Sequence, residues 1–194
     1  MLALLLASIC ISGVDIRLLQ YINLHRNTSL DRTFIYITNS AAMLAYGIPI
    51  LLLLVSLFKG DSTAQKNSLY IISAVLVSAL IASACKYGIA RPRPFLTYSF
   101  IQSVAEGGSP SFPSGHTCDA FALATAISLT YRKWYIVVPF FLWALLVGYS
   151  RMDLGVHYPS DVLGGILIGV ISALIISRWF IKREGQLVNE NNNR

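Results

Sequence analysis

Three short blocks in the middle of this sequence concentrate side chains that can bind and attack a phosphoryl group. They are Lys86 with Arg93-Pro94, the run Pro113-Ser114-Gly115-His116, and Ser150-Arg151 with His157 and Asp161. Charged side chains within apolar segments are costly, so each of these is a candidate functional residue. Together, the imidazoles, cations and carboxylate suit a site that holds a phosphate and attacks it with histidine.

The cations of the first and third blocks suit a phosphate group, whose negative charge is spread over its non-bridging oxygens. Arginine binds such oxygens through a two-pronged fork, whereas lysine contributes a compact charge. Lys86, Arg93 and Arg151 provide both kinds of cation. Fixed cations also stabilise the charge that develops during phosphoryl transfer. We therefore predict that these three side chains bind the phosphate of a substrate.

The second block follows a proline-rich loop and begins an apolar segment. Serine is a preferred N-cap residue, so we expect Ser114 to cap a helix that starts here. The first amides of a helix have no intrahelical partner and attract anions, and glycine lets a ligand approach the backbone closely. Ser114 and the Gly115 amide are therefore predicted to bind phosphate beside the cations.

The third block supplies a candidate nucleophile. His157 and Asp161 are separated by four residues, which places them on one face of a helix or together in a tight turn. Asp161 can then accept a hydrogen bond from one imidazole nitrogen, so the opposite nitrogen remains free to attack. His116 would donate a proton to the leaving oxygen, and it must therefore be protonated while His157 is neutral.

The composition indicates that a membrane protein carries these residues. Of the 194 residues, 55% are hydrophobic and only 12% are charged, whereas soluble domains average about 25% charged residues. The net charge of +6 is divided among separate turns, so we expect no nucleic-acid partner. The three cysteines are scattered and suggest neither a disulfide framework nor a metal site. We expect one integral membrane domain over residues 1–194, with no cofactor and no obligatory protein partner.

The apolar segments predict an all-α bundle of about six transmembrane helices. The run at residues 1–14 is short for a span, and it either forms a truncated first helix or continues with Asp15 and Arg17 at the interface. Residues 16–24 suit a helix in the headgroup region. Further spans are predicted at 34–58, 69–84, 116–129, 134–149 and 162–180. A loop over 88–113 and a polar tail over about 182–194, frayed from 189, complete the pattern.

The basic residues also predict an orientation. If the spans alternate, one side of the membrane receives the turns that carry Lys59 and Lys66, Arg132 and Lys133, and Arg178, Lys182 and Arg183. That side is cytoplasmic by the positive-inside rule. The three blocks then share the opposite face. We therefore expect a multi-pass protein of the cytoplasmic membrane whose site faces the external or periplasmic side.

The three blocks closely resemble the signature of the type-2 phosphatidic acid phosphatase superfamily, also called the lipid phosphate phosphatase family. The family's motifs are Lys-x6-Arg-Pro, Pro-Ser-Gly-His and Ser-Arg-x5-His-x3-Asp, and all three occur here in order between residues 86 and 161. The family's usual plan of six helices also fits. The short first segment is the point at which this sequence departs from that plan.

This resemblance implies a metal-independent lipid phosphatase that works through a phosphohistidine intermediate. His157 would be the nucleophile, Asp161 its orienting partner and His116 the general acid. The resemblance assigns phosphate binding to Lys86, Arg93, Ser114, Gly115, His116 and Arg151. Family members of this size act on undecaprenyl pyrophosphate, phosphatidylglycerophosphate, phosphatidic acid or lipid A. A lipid substrate would keep its tail in the bilayer while its headgroup enters the pocket.

Two other functions remain open at this stage. A lipid phosphotransferase would use the same intermediate and pass the phosphoryl group to a second lipid. A non-catalytic anion-binding membrane protein would need the cations without any strict need for His157. Two charged residues also lack an assignment: Arg91 suits a loop or headgroup contact better than a phosphate contact, and Asp119 could pair with a site cation, pair with His116 or face solvent.

Overall fold

Helices account for nearly all of the secondary structure in the computed structural model, which describes residues 13–105 and 107–192, with side chains through residue 180. The long helices are α1 (Gly13–Leu24), α2 (Asp31–Lys59), α3 (Ser62–Ile89), α4 (Gly115–Tyr131), α5 (Trp134–Asp153) and α6 (Pro159–Asn192). A 3-10 turn covers Thr28–Leu30, and a single helical turn covers Pro94–Thr97. No strand occurs in the described ranges, and the predicted all-α class is confirmed. The apolar run at residues 1–12 lies outside the described residues.

Several helices extend further than their apolar cores predict, because polar residues cap them or complete their last turns. Gly60 ends α2 in the left-handed conformation (φ 67°), and the Asp61 side chain then caps α3 through the amides of Thr63 and Ala64. The last turn of α3 contains Lys86, which the sequence pattern had placed after the helix. Likewise α6 continues into the polar tail as far as Asn192, and residues 193–194 lie outside the described residues.

Four of the described helices, α2, α3, α5 and α6, are long and apolar enough to cross a membrane. Their outer faces carry large apolar side chains, such as Phe58 (95% exposed) and Leu80 (69% exposed), which suit contact with lipid. The other two long helices of the predicted six-span bundle, α1 and α4, do not meet this criterion of length and hydropathy in the described residues. Helix α4 has only 17 residues and buries most of its side chains, so it forms the centre of the bundle. Helix α1 has 12 described residues.

Glycines on α6 let this helix approach α4 closely. A Cβ atom at Gly165 would lie 2.8 Å from the Ser114 carbonyl oxygen, and one at Gly169 would lie 2.6 Å from the Cys118 carbonyl oxygen. Real Cβ atoms do not approach so near, so hydrogen is the only side chain that fits at these two positions. This contact fixes the start of α4 against the start of α6.

Helix α1, which the sequence places in the headgroup region, packs against the bundle. Leu19 is fully buried in a cluster with Ile101 and Tyr158. The Asn23 side-chain amide donates to the carbonyl oxygens of Gln102 and Asp153, both at 2.9 Å. The Asp15 side chain is buried against the start of α6, where the Ser160 amide and hydroxyl donate to it.

Candidate active site

The three sequence blocks meet at one end of the bundle, where α3 and α5 end and α4 and α6 begin. Burial, and the nearby charges of Arg151, Lys86 and Arg93, lower the pKa of His116 to about 4. This ring is neutral while no anion is bound, unlike the protonated state that the sequence analysis expects of a general acid. The charges of Arg151 and Arg93 also lower the pKa of His157, which lies in the turn between α5 and α6. The structure therefore gathers every residue of the predicted site into one cluster, although residues 86 and 161 lie far apart in sequence.

His157 is buried (1% exposed) and faces the carboxylate of Asp161. Its Nδ1 atom lies 3.4 Å from Asp161 Oδ2 and 3.5 Å from the Ser111 hydroxyl. Its backbone amide donates to the Arg151 carbonyl oxygen at 3.2 Å. Because Nδ1 faces the carboxylate, Nε2 is the nitrogen on the opposite edge of the ring and is the one placed for attack.

Burial lowers the pKa of His157 to about 3, because the interior disfavours a charged imidazole. Asp161 raises this pKa by its hydrogen bond and its charge, while Arg151 and Arg93 lower it, and desolvation dominates. The ring is consequently neutral at physiological pH, which is the state that a nucleophile requires.

Asp161 is held by partners from several segments, and the sequence analysis missed most of them. Its Oδ2 accepts from the Ser111 hydroxyl at 2.5 Å and from the Tyr158 amide at 2.9 Å. Its Oδ1 accepts from Arg91 Nη1 at 2.6 Å. These contacts fix the plane of the carboxylate. Ser111 lies in the proline-rich loop 50 residues away from Asp161, and no local spacing pattern links the two residues.

Hydrogen bonds to the protein anchor both arginines of the motifs, and one nitrogen of Arg151 is left without a partner among the described residues. Arg93 is buried and donates from Nε to the Ser109 carbonyl oxygen at 2.8 Å and from Nη1 to the Val156 carbonyl oxygen at 3.2 Å. Arg151 donates from Nη1 to the Thr38 hydroxyl at 2.7 Å. Arg151 Nε is buried without a hydrogen-bond partner among the described residues. Buried donors are normally satisfied, so an oxygen of a bound anion would supply the missing partner.

Lys86 and the start of α4 lie side by side. Lys86 Nζ donates to the Pro110 carbonyl oxygen at 2.7 Å, and a Cβ atom at Gly115 would lie 3.8 Å from Lys86 Cε. Ser114 occupies the N-cap position as expected, but its side chain does not cap the helix. Instead the Ser114 hydroxyl accepts from the Thr117 hydroxyl at 2.8 Å. The first amides of α4 are therefore left for another acceptor, which suits an anion.

The comparisons with known proteins identify the family of this chain. The family model of the PAP2 superfamily matches residues 67–184, a stretch that includes all three blocks. The chain belongs to the PAP2 superfamily. The resemblance inferred from the motifs is thereby confirmed, as is the assignment to an enzyme family.

Individual relatives of this PAP2 chain support the same assignment. It is 32% identical to undecaprenyl-diphosphatase BcrC of Bacillus subtilis over 155 residues, which cover 80% of this chain and 77% of that protein. The crystal structure of Aquifex aeolicus LpxE matches with a TM-score of 0.72 and 29% identity, covering 87% of this chain and 97% of that chain. A PAP2-type phosphatidylglycerolphosphate phosphatase from Bacillus subtilis matches with a TM-score of 0.75 and 22% identity, covering 92% of each chain, and shows a shared fold.

Asp119, left open by the sequence, lies away from this cluster of cations. Its Oδ1 accepts from the Tyr46 hydroxyl at 3.4 Å, a long contact between α4 and α2. Within the described part of the PAP2 chain, no three His, Cys, Asp or Glu side chains are grouped as a metal site. The donors that converge here are cations, amides and hydroxyls, which is the chemistry of an anion site.

Proposed function

We propose that this protein is an integral-membrane lipid phosphatase that transfers a phosphoryl group from a lipid to His157 and then to water. The observation that carries the proposal is the His157–Asp161 pair (3.4 Å), buried within the electrostatic reach of Arg93 and Arg151. A neutral imidazole held by a carboxylate beside fixed cations has the parts needed for phosphoryl transfer.

In the first step, His157 Nε2 attacks the phosphorus, a P–N bond forms, and the P–O bond to the lipid breaks. The negative charge of the bound phosphate offsets the cations that lower the pKa of His116, so His116 takes up a proton when the substrate binds. His116 then donates this proton to the leaving oxygen, and the lipid departs as an alcohol or as a phosphate monoester. Asp161 stabilises the positive charge that His157 acquires as phosphohistidine. Lys86, Arg93 and Arg151, with Ser114 and the first amides of α4, bind the phosphoryl oxygens.

In the second step, water attacks the phosphohistidine and the P–N bond breaks. His116, now neutral, takes a proton from the attacking water, which restores its acidic form. Inorganic phosphate leaves, and His157 returns to its neutral state beside Asp161. No metal or organic cofactor is needed for either step, because the cations of the protein supply the positive charge.

A lipid substrate is supported by the surroundings of the site. A cavity of about 430 Å³ lies among α1, α4, α5 and α6 and is lined almost entirely by apolar side chains, including Leu18, Phe121, Met152 and Pro159. Met152 and Pro159 flank the turn that carries His157, so an alkyl or isoprenoid chain in this cavity would begin near the reacting phosphate. The relative BcrC is named for a diphosphate of a long isoprenoid alcohol, and the same substrate class is proposed here.

The proposed location is the cytoplasmic membrane, with the site on the external or periplasmic face. A second cavity, of about 400 Å³, is lined by Lys66, Arg132 and Ser177. The start of α3, the end of α4 and the later part of α6 therefore lie together, at the end of the bundle opposite to His157. A basic end of this kind faces the cytoplasm under the positive-inside rule.

The proposed function is tested by phosphate release from the detergent-purified protein in excess chelator. The panel contains undecaprenyl pyrophosphate, phosphatidylglycerophosphate, phosphatidic acid and lipid A, with His157→Ala as the control. We expect release that survives chelation and is lost in the variant, and the preferred lipid would define the substrate. Transfer of the phosphoryl group to a second lipid would instead indicate a phosphotransferase. Binding without release or transfer, in folded protein, would indicate a non-catalytic anion-binding protein.

A further inference from the structure

Arg91 connects the carboxylate of Asp161 to a second buried carboxylate on α1. Its Nη1 atom donates to Asp161 Oδ1 at 2.6 Å, and its Nη2 atom donates to Asp15 Oδ2 at 2.7 Å. The guanidinium also lies over the Tyr158 ring, 3.6 Å from the ring centroid. One guanidinium is thus shared by two carboxylates from opposite ends of the chain.

Asp15 is in turn bound to the start of α6. Its Oδ1 accepts from the Ser160 amide at 2.9 Å, and its Oδ2 accepts from the Ser160 hydroxyl at 2.5 Å. A carboxylate from one helix therefore satisfies an amide in the first turn of another helix, the turn that also carries Asp161. The Asp15 side chain is only 5% exposed and that of Arg91 only 11% exposed, so water screens this pair weakly.

We propose that Asp15 and Arg91 are positioning residues that hold Asp161 against His157, so that α1 is a functional part of the active site. This inference rests on the proposed function, and it adds two residues that the three motifs do not specify: Arg91 occupies a variable position of the first motif, and Asp15 lies on α1. Arg91 holds Oδ1 of the carboxylate, which leaves Oδ2 directed at His157 Nδ1. Asp15 fixes both the guanidinium and the helical turn from which Asp161 projects.

The charges of this group also suit the proposed reaction. One guanidinium between two carboxylates leaves a single negative charge, which faces the imidazole that becomes positive on phosphorylation. Loss of the Asp15 charge would remove this net negative charge. Loss of the Arg91 guanidinium would remove the hydrogen bond that holds Asp161 Oδ1. Either change should slow the formation of phosphohistidine. Neither should weaken phosphate binding, because Lys86, Arg93 and Arg151 are left in place.

The proposal is tested with Asp15→Asn, Arg91→Gln and Arg91→Lys in the full-length protein. Asp15→Asn keeps an oxygen that can accept from Ser160 and removes only the charge. Arg17→Gln is the matched control, since Arg17 lies on the exposed side of α1 and its Nε donates to the Gly13 carbonyl oxygen in the same helix. The measurements are the single-turnover rate of phosphoenzyme formation, competitive inhibition by inorganic phosphate, and thermal unfolding.

We expect Asp15→Asn and Arg91→Gln to slow phosphoenzyme formation by about 10- to 100-fold, as is typical when the partners of a functional group are removed. Inhibition by inorganic phosphate should stay within about twofold of the wild type, and Arg91→Lys should restore part of the rate. The Arg17→Gln control should behave as the wild type.

Three results would overturn the inference while leaving the proposed function intact. They are unchanged rates in folded Asp15→Asn and Arg91→Gln, weakened phosphate inhibition with an unchanged rate in these two variants, and failure of both variants to fold while Arg91→Lys folds with wild-type stability and regains none of the rate of phosphoenzyme formation. The last result would assign the pair to stability alone. Absence of phosphoenzyme in the wild type would instead defeat the proposed function itself.

Discussion

His157 and His25 differ in their burial and in their hydrogen-bond partners. His157 is buried beside a fixed carboxylate and within the electrostatic influence of two arginines, whereas His25 is exposed and lies just after α1, with its Nδ1 hydrogen-bonded to the Tyr21 carbonyl oxygen. The neutral state of His157 follows from desolvation, which outweighs the nearby negative charge. The imidazole of His157 is therefore neutral, as a nucleophile must be, before any substrate binds.

The neutral state of His157 can be measured by a pH titration. Because burial lowers its pKa to about 3, the imidazole should give one unchanged NMR signal between about pH 8 and pH 5. An ordinary histidine, with a pKa of about 6.5, would be mostly protonated at the lower limit. Histidine-labelled protein in detergent would be used, and His157→Gln would assign the signal. Titration of His157 near pH 6.5 would contradict this part of the account.

Removal of Arg151 should impair both binding and turnover, since its buried Nε has no other partner among the described residues. We expect Arg151→Gln to lower kcat/KM by about 100-fold or more, the typical effect of losing one donor to a transition-state oxygen. Arg32→Gln, a change on the exposed side of α2, is the control and should leave kcat/KM unchanged. Equal activity of the two variants would remove Arg151 from the proposed site.

The sequence predicted the residues that carry the chemistry but not those that hold them. His157 and Asp161 are four residues apart, so their pairing could be inferred from spacing. The other side-chain partners of Asp161, and those of Asp15, lie 50 to 145 residues away, and only the fold brings them together. One signal was present: Asp15 is an acid within an apolar stretch, which marks a functional residue in membrane proteins. Its partner could not be identified from composition or periodicity.

Among the elements, the contact between α4 and α6 positions the site most directly. The Ser114 amide donates to the Asp161 carbonyl oxygen at 3.0 Å, which joins the second and third motifs through their backbones. Gly165 and Gly169 permit the close approach that this bond requires. The phosphate-binding start of α4 is therefore fixed relative to the nucleophile by the packing of two helices.

Alanine at position 165 should disturb this arrangement. The added methyl group would overlap the Ser114 carbonyl oxygen and Thr117 Cβ, which lie 2.8 and 2.9 Å from its ideal position. We expect Gly165→Ala to destabilise the protein by about 1–3 kcal/mol, as overpacking does, and to lower kcat as well. Gly47→Ala on α2 is the control, because nothing lies within 4 Å of its ideal Cβ. Wild-type stability and kcat in Gly165→Ala would show that the contact is not needed.

The sequence located the helices well and their ends less well. Apolar runs identified the cores of α2, α3, α5 and α6, because these helices face lipid with apolar side chains. The ends depend on polar residues, such as the Asp61 cap of α3 and the motif residues Lys86 and Arg151 within the last turns of α3 and α5. The role of α4 as the buried centre could not be predicted, since its apolar residues face protein on all sides.

At the scale of the whole molecule, the two ends of the bundle differ in chemistry. One end carries the anion site around His157, and the other carries Lys66 and Arg132 around a separate cavity. The bilayer between them would keep the two ends in different compartments. The proposed orientation therefore makes a prediction about which residues can be reached from outside the cell.

The orientation can be tested by cysteine labelling in intact cells. Ser103 lies exposed in the loop near the site, and Lys133 lies exposed in the turn after α4. In a background without the native cysteines, a membrane-impermeant maleimide should label Ser103→Cys in intact cells and Lys133→Cys only after permeabilisation. The reverse pattern would place the site in the cytoplasm and contradict the proposed location, without affecting the chemistry.

The central claim is that His157 carries the phosphoryl group during turnover, and trapping the phosphoenzyme tests it most directly. Full-length protein would be mixed with a lipid substrate whose scissile phosphate is radiolabelled, quenched within milliseconds, and mapped by proteolysis. We predict an acid-labile, base-stable phosphate on His157 in the wild type and none in His157→Gln. A label on any other residue, or turnover by His157→Gln at the wild-type rate, would contradict the account.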